Sequence, residues 1–118
     1  MTTSMELAQH AAAAALDKKA TRPVVLDLRG LSDFCEVQFI CSGENERQTR
    51  AIADGIEERC HKLGGVKPVA VEGRSTGNWV LMDYGGFVVH IFHSTYRDYY
   101  ALEELWPKAK PFELELKN

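Results

Sequence analysis

The sequence predicts an α/β fold in which a mixed sheet of about five strands is flanked by helices. Two patterns support this class. A long helical segment separates two strand segments, which permits a parallel crossover, and Gly85-Gly86 joins two apolar strand segments as a typical two-residue hairpin turn. A length of 118 residues fits one domain, so we expect a single domain over residues 1–118.

Three helices are predicted, two of them from capping patterns. Thr3 and Glu6 have the spacing of a capping box in front of an Ala- and Leu-rich segment, so we expect a helix over residues 5–19. The same spacing recurs at the start of the second helix, residues 45–63, which ends at two glycines. The third helix, residues 95–106, ends before a proline.

Strands are predicted where β-branched and aromatic residues run together between turn signals. The five predicted strands cover residues 24–28, 34–41, 66–71, 79–84 and 87–93. In the second strand, alternation predicts that Cys35, Val37, Phe39 and Cys41 share one face. Pro68 in the third strand has no N–H to donate to a neighbouring strand, which favours an edge position or the start of a strand.

The predicted hairpin has two faces of different character. A two-residue turn pairs Tyr84 with Phe87 and Trp79 with Phe92. Alternation gives a core face that consists of Val80, Met82, Tyr84, Phe87, Val89 and Ile91. The opposite face mixes polar and large apolar groups, namely Trp79, Leu81, Asp83, Val88, His90 and Phe92. A Trp beside an acid suits contact with a basic partner; the alternative is that a helix covers this face and Trp79 belongs to the core.

Charge and cysteine content bear on the partner and the compartment. Fourteen Lys and Arg against seventeen Asp and Glu give a net charge of −3, and the cations form no run, so little direct nucleic-acid contact is expected. An acidic module can still bind a basic protein of a nucleoprotein. Three cysteines without CxxC spacing predict neither a disulfide framework nor a zinc site. Because the first twenty residues fit neither a signal peptide nor a membrane span, we expect a cytoplasmic protein.

No motif in the sequence predicts catalysis, a metal site or a cofactor. The four histidines lack metal-binding spacing, and Ser42-Gly43 does not fit the G-x-S-x-G elbow. Asp27 and Asp83 each lack a second carboxylate two residues away. The alternative is a nucleotidyltransferase-like, nucleotide-binding enzyme. It requires a Gly-Ser pair near a helix start and an Asp-x-Asp on the following strand to hold a metal pair, and the sequence has neither.

Several blocks of residues between positions 24 and 106 follow a family pattern. They are Leu26-Asp27, Ile40-Cys41-Ser42-Gly43, Arg47-Gln48, Ala51-Ile52-Ala53, Glu72-Gly73, Trp79-Val80-Leu81-Met82-Asp83-Tyr84-Gly85, Val88-Val89-His90-Ile91-Phe92 and Arg97-Asp98-Tyr99-Tyr100-Ala101-Leu102-Glu103-Glu104-Leu105-Trp106. In these blocks the chain resembles the RsfS/Iojap family of ribosomal silencing factors, and the last three blocks are highly specific together. It departs from the family at Val37 and Gln38, where the family usually has two aromatic residues, and at Gly86, where it often has Asp.

The resemblance implies a nucleotidyltransferase-like fold without the catalytic motif, and therefore a protein that is not an enzyme. It also implies binding to the large ribosomal subunit, through the fourteenth large-subunit ribosomal protein, at the face where the small subunit docks. Subunit joining would then be blocked and translation repressed under nutrient limitation. The sequence itself predicts no membrane association, and it leaves a homodimer open. The signature residues carried over as partner-binding candidates are Glu36, Trp79, Asp83, Tyr84, Arg97 and Tyr100.

Overall fold

The computed structural model describes residues 2–31, 33, 35–100 and 110–111. Within these residues the helices are α1 (Ser4–Asp17), α2 (Glu46–His61) and α3 (Ser94–Tyr100). The strands are β1 (Thr21–Asp27), β2 (Val37–Gly43), β3 (Ala70–Glu72), β4 (Trp79–Asp83), β5 (Phe87–His93) and β6 (Lys110–Pro111).

The described strands form one mixed sheet in the order β3-β4-β5-β2-β1-β6. β2 runs parallel to β5, and the other neighbouring pairs are antiparallel. The predicted α/β fold with a mixed sheet is therefore confirmed. Two-residue β6 is an addition, because the sequence near the chain end indicates no class of element. It pairs with Leu26 and Asp27 at the end of β1.

Local capping determines where the first two helices begin. The Thr3 hydroxyl accepts a hydrogen bond from the backbone N–H of Glu6 at 3.1 Å, and the Asn45 side chain accepts one from Gln48 at 2.8 Å. Both predicted helix starts are confirmed. α1 ends earlier than predicted, because Lys19 turns the chain out of the helix with a φ of 63°. α3 begins as predicted to within one residue, and residues 101–106 of the predicted third helix lie outside the described residues.

α1 and α2 pack against each other and against one face of the sheet, which we call the inner face. Its buried side chains form the larger core, which includes Ala8, Ala11, Ala15, Val37, Phe39, Cys41, Ile52, Ile56, Val80, Met82, Phe87, Val89 and Ile91. Alanine residues in α1 let this helix lie close to its neighbours. The predicted core face of the hairpin is confirmed. The opposite, outer face carries a second and smaller apolar cluster, which we call the outer cluster and which consists of Leu26, Leu28, Cys35, Ile40 and Phe92.

The predicted hairpin register is also confirmed. Trp79 lies opposite Phe92, and the backbone N–H of Tyr84 donates to the carbonyl of Phe87 at 2.8 Å. The turn begins with Gly85, whose φ of 92° lies in the left-handed region that favours glycine. Gly85 and Gly86 therefore suffice to reverse the chain direction between β4 and β5.

Two predicted strands begin later than expected. β2 starts at Val37 rather than at residue 34, so Cys35 lies outside the strand and packs in the outer cluster, not with Val37 and Phe39. β3 covers Ala70–Glu72 instead of residues 66–71 and forms one edge of the sheet. The edge position predicted from Pro68 is confirmed, although the proline itself precedes the strand.

Candidate partner-binding surface

The outer face of the sheet is covered over its centre and open over β4. Ile40 of β2 and Phe92 of β5 are fully buried in the outer cluster. By contrast, the three side chains of β4 that point the same way are only half-buried: Trp79, Leu81 and Asp83. We call these three residues the outer surface of β4. On edge strand β3, Ala70 and Glu72 lie opposite Asp83 and Leu81 and extend this surface with exposed positions.

Trp79 is held by two neighbours on β5. Its ring stacks on Phe92, with ring centroids 5.0 Å apart and planes inclined by 27°. Its indole Nε1–H donates a hydrogen bond to Nδ1 of His90 at 3.0 Å. His90 is only 5% exposed, and this burial lowers its pKa from 6.5 to about 4, so its imidazole is neutral at pH 7.

The buried neutral His90 makes the stability of the protein sensitive to acid. The unfolded chain binds a proton at this residue below pH 6.5, whereas the folded protein resists protonation down to about pH 4. Stability is therefore full above pH 6.5 and is lost as the pH falls from 6.5 towards 4. We expect the free energy of unfolding to be about 2 kcal/mol lower at pH 5 than at pH 7 from this group alone.

Urea unfolding of the wild type and of His90→Phe at both pH values measures the contribution of His90 to the free energy of unfolding. Carboxylates and the other histidines contribute equally to the two proteins, so the difference between their pH slopes isolates His90. Parallel slopes in the two proteins would contradict the prediction.

Asp83 has a local role in addition to its position on the outer surface of β4. Its Oδ1 accepts a hydrogen bond from the backbone N–H of Gly85 at 2.8 Å, which stabilises the hairpin turn. Leu81 lies between Trp79 and Asp83 on the same side of the strand. Leu81 is not among the six signature residues, although the two-residue alternation of the strand predicts that it lies on this face.

Glu36 lies at the hairpin end of the sheet and is exposed. Its carboxylate accepts a hydrogen bond from the Ser4 hydroxyl at 3.0 Å, and its backbone N–H donates to the carbonyl of Gly86 at 2.8 Å. The residue therefore connects the start of α1 to the hairpin turn. The neighbouring departures from the family pattern, Val37 and Gln38, are both buried, so they change packing beneath the surface rather than the surface itself.

Tyr84 and Arg97 lie inside the fold. Half-buried Tyr84 points to the inner face, where its hydroxyl is buried beside the Cys60 thiol; burial raises the pKa of Tyr84. The Arg97 side chain is 1% exposed, and its Nη1 donates to the Ser42 hydroxyl and to the Arg22 carbonyl, both at 2.8 Å. These contacts join α3 to β2 and β1. For Tyr100 the structure describes only the backbone at the end of α3.

The start of α2 and Asp27, which the nucleotide-binding alternative would use, both have other contacts in the structure. At the start of α2, side-chain oxygens of Asn45 and Gln48 already accept the N–H groups of Gln48 and Glu44. Asp27 forms an ion pair with Arg29 at 2.7 Å, and β2 and β5 separate its strand from that of Asp83. Among the described residues, no group of three or more His, Cys, Asp or Glu side chains could hold a metal ion. Nor does any described helix combine the length and apolar character needed to cross a membrane.

Fold and surface together define a small α/β domain with a partly exposed aromatic and acidic surface on one strand of a mixed sheet. Comparison with known proteins gives the family. The family model "Ribosomal silencing factor during starvation" (RsfS) matches residues 1–118, and the chain belongs to this family. The resemblance noted in the sequence is thereby confirmed.

Individual relatives agree with this assignment. The chain is 40% identical over 113 residues to ribosomal silencing factor RsfS of Halalkalibacterium halodurans, with 96% of each chain covered. It is 39% identical over 105 residues to the protein of the same name from Bacillus subtilis, covering 89% of this chain and 88% of that protein. A crystal structure of a protein from Chromobacterium violaceum superposes with a TM-score of 0.84 at 32% identity, covering 98% of this chain and 94% of that one.

Proposed function

We propose that this protein represses translation by binding the large ribosomal subunit through its fourteenth large-subunit ribosomal protein and excluding the small subunit. The observation that carries the proposal is the outer surface of β4, which leaves a Trp, a Leu and an acid partly exposed on a sheet whose centre is otherwise covered. The name of the relatives, ribosomal silencing factor, supports a ribosomal partner.

The chemistry of this surface favours a basic protein over RNA. Trp79 supplies contact area, and Asp83 together with exposed Glu72 on β3 supplies negative charge beside it. Ribosomal proteins are commonly basic, whereas phosphates would be repelled by these acids and by a net charge of −3. Direct contact with ribosomal RNA is therefore a minor part of the proposed interface.

The six signature residues divide into two roles in this proposal. Trp79 and Asp83 contact the partner, joined by Leu81, and exposed Glu36 adds a contact at the hairpin end. Tyr84 and Arg97 support the surface from within, since their polar groups are buried. Tyr100 is kept as a contact on the strength of the family signature.

We further propose that the protein acts in the cytoplasm as a single domain and without catalysis. Steric exclusion needs a rigid surface but no reaction. The enzyme alternative has no support from metal ligands among the described residues. Magnesium- or manganese-dependent nucleotide transfer that disappears in Asp27→Ala would reverse this conclusion.

Sedimentation with purified ribosomal particles tests the proposed function. We expect the protein to co-sediment with free large subunits and to be absent from assembled ribosomes, because its site is covered once the small subunit has joined. Moderate salt should weaken binding only in part, since a protein interface depends less on ions than phosphate binding does. Crosslinks from the hairpin should reach the fourteenth large-subunit protein. Equal occupancy of free large subunits and assembled ribosomes would refute steric exclusion.

Sedimentation of the protein without ribosomes tests for a homodimer, which would appear as a second, faster species.

A further inference from the structure

His90 occupies the middle of the outer face, next to the proposed contact surface. By strand register it lies between Leu81 on β4 and Ile40 on β2. Its imidazole is buried and approaches both aromatic neighbours, with ring centroids 5.8 Å from Trp79 and 6.3 Å from Phe92. It therefore contributes little to the surface that a partner could contact.

We infer that His90 is a positioning residue, whose imidazole nitrogen holds the Trp79 indole in the orientation that the ribosomal partner contacts. This inference rests on the proposed function. The observation behind it is the 3.0 Å hydrogen bond from the indole Nε1–H of Trp79 to Nδ1 of His90, together with the burial of His90.

The stacking contact and the hydrogen bond constrain different motions of the indole. Stacking on Phe92 holds the plane of the ring close to the sheet. It does not select the edge of the indole that points along β5, because the last torsion of a Trp side chain is broad and roughly two-fold. The hydrogen bond to His90 makes that selection, since only one of the two ring orientations brings the N–H to Nδ1. A side chain ordered in advance loses less conformational freedom when the partner binds.

The neutral form of His90 is required for this function. Nδ1 accepts the indole N–H only while it carries no proton, so the remaining hydrogen of the neutral ring is on Nε2. A protonated imidazole would place a second N–H against that of Trp79. Burial of the ring in the outer face keeps it in the accepting form at pH 7.

Three substitutions of His90 distinguish the effect of its hydrogen-bond acceptor from the effect of its aromatic ring. His90→Phe retains an aromatic ring and removes the acceptor. His90→Asn removes the ring but retains an acceptor, because its Oδ1 is bonded to Cγ as Nδ1 is in histidine. His90→Gln is the matched control, because its oxygen stands one bond further out, nearer the place of Nε2. Each is compared with wild type for affinity to purified large subunits, thermal unfolding and the NMR shift of the Trp79 indole N–H.

We expect His90→Phe to weaken binding roughly fivefold and to shift the indole resonance upfield, as loss of one hydrogen bond would. His90→Asn should recover both values more fully than His90→Gln. In a Trp79→Phe background, which has no indole N–H, the change to Phe at position 90 should have no further effect on affinity.

Unchanged affinity in a folded His90→Phe protein would overturn the inference. So would an equal loss of affinity in the Trp79→Phe background, because His90 would then act by a route other than the indole. If wild type itself fails to bind large subunits, the proposed function falls and this inference falls with it. Wild-type binding that is indifferent to all three substitutions overturns the inference alone.

Discussion

Trp79→Ala is expected to weaken binding to the large ribosomal subunit by about 2 kcal/mol or more, or roughly thirtyfold, as truncation of a central aromatic contact does. Trp79 is half-buried, so the same change also removes its stacking on Phe92 and its hydrogen bond to His90. We therefore expect a smaller loss of folding stability than the 3–5 kcal/mol or so that a fully buried Trp would cost.

Affinity and thermal unfolding of Trp79→Ala, measured side by side, test this expectation. Tyr96→Ala is a suitable control, because Tyr96 is 36% exposed on α3 and contacts His93 rather than the outer surface of β4. The control should bind like wild type. A stable Trp79→Ala protein with unchanged affinity would contradict the assignment of this surface.

Asp83→Ala removes a negative charge from the same surface. We expect this change chiefly to slow the association of the protein with the large subunit.

Arg97→Met should destabilise the protein by about 3 kcal/mol or more, because it removes a buried charged group and leaves one buried and one partly buried acceptor without their donor. The acceptors are the Arg22 carbonyl and the Ser42 hydroxyl, each 2.8 Å from Nη1 of Arg97. In a chain of 118 residues this corresponds to a fall in Tm of about 10 °C or more.

Differential scanning calorimetry measures this loss, with Arg47→Met as the matched control. Arg47 is exposed on α2, so the same change of side chain should alter stability by less than about 0.5 kcal/mol. Binding by the folded fraction of Arg97→Met should remain close to that of wild type. An Arg97→Met protein that unfolds like wild type but no longer binds large subunits would show that Arg97 contacts the partner directly.

Features that depend on near neighbours in the chain could be predicted from the sequence alone. Thr3 and Asn45 cap helices three residues ahead of the N–H groups that they accept, so spacing alone locates both helix starts. Gly85 begins a two-residue turn, and the register from Trp79 to Phe92 follows from it. The family signature could likewise be found in the sequence, because it consists of short blocks in a specific order.

The exposure of each signature residue, by contrast, depends on contacts between segments that are distant in the chain. Alternation places Asp83 and Tyr84 on opposite faces, but which part of the outer face stays open depends on what covers each strand. From its sequence context Arg97 resembles an interface arginine, but its side chain reaches Arg22 and Ser42, which are 75 and 55 residues away in the chain. Burial is a property of the neighbours that a fold brings together, and such distant neighbours leave no periodic signal around the residue itself.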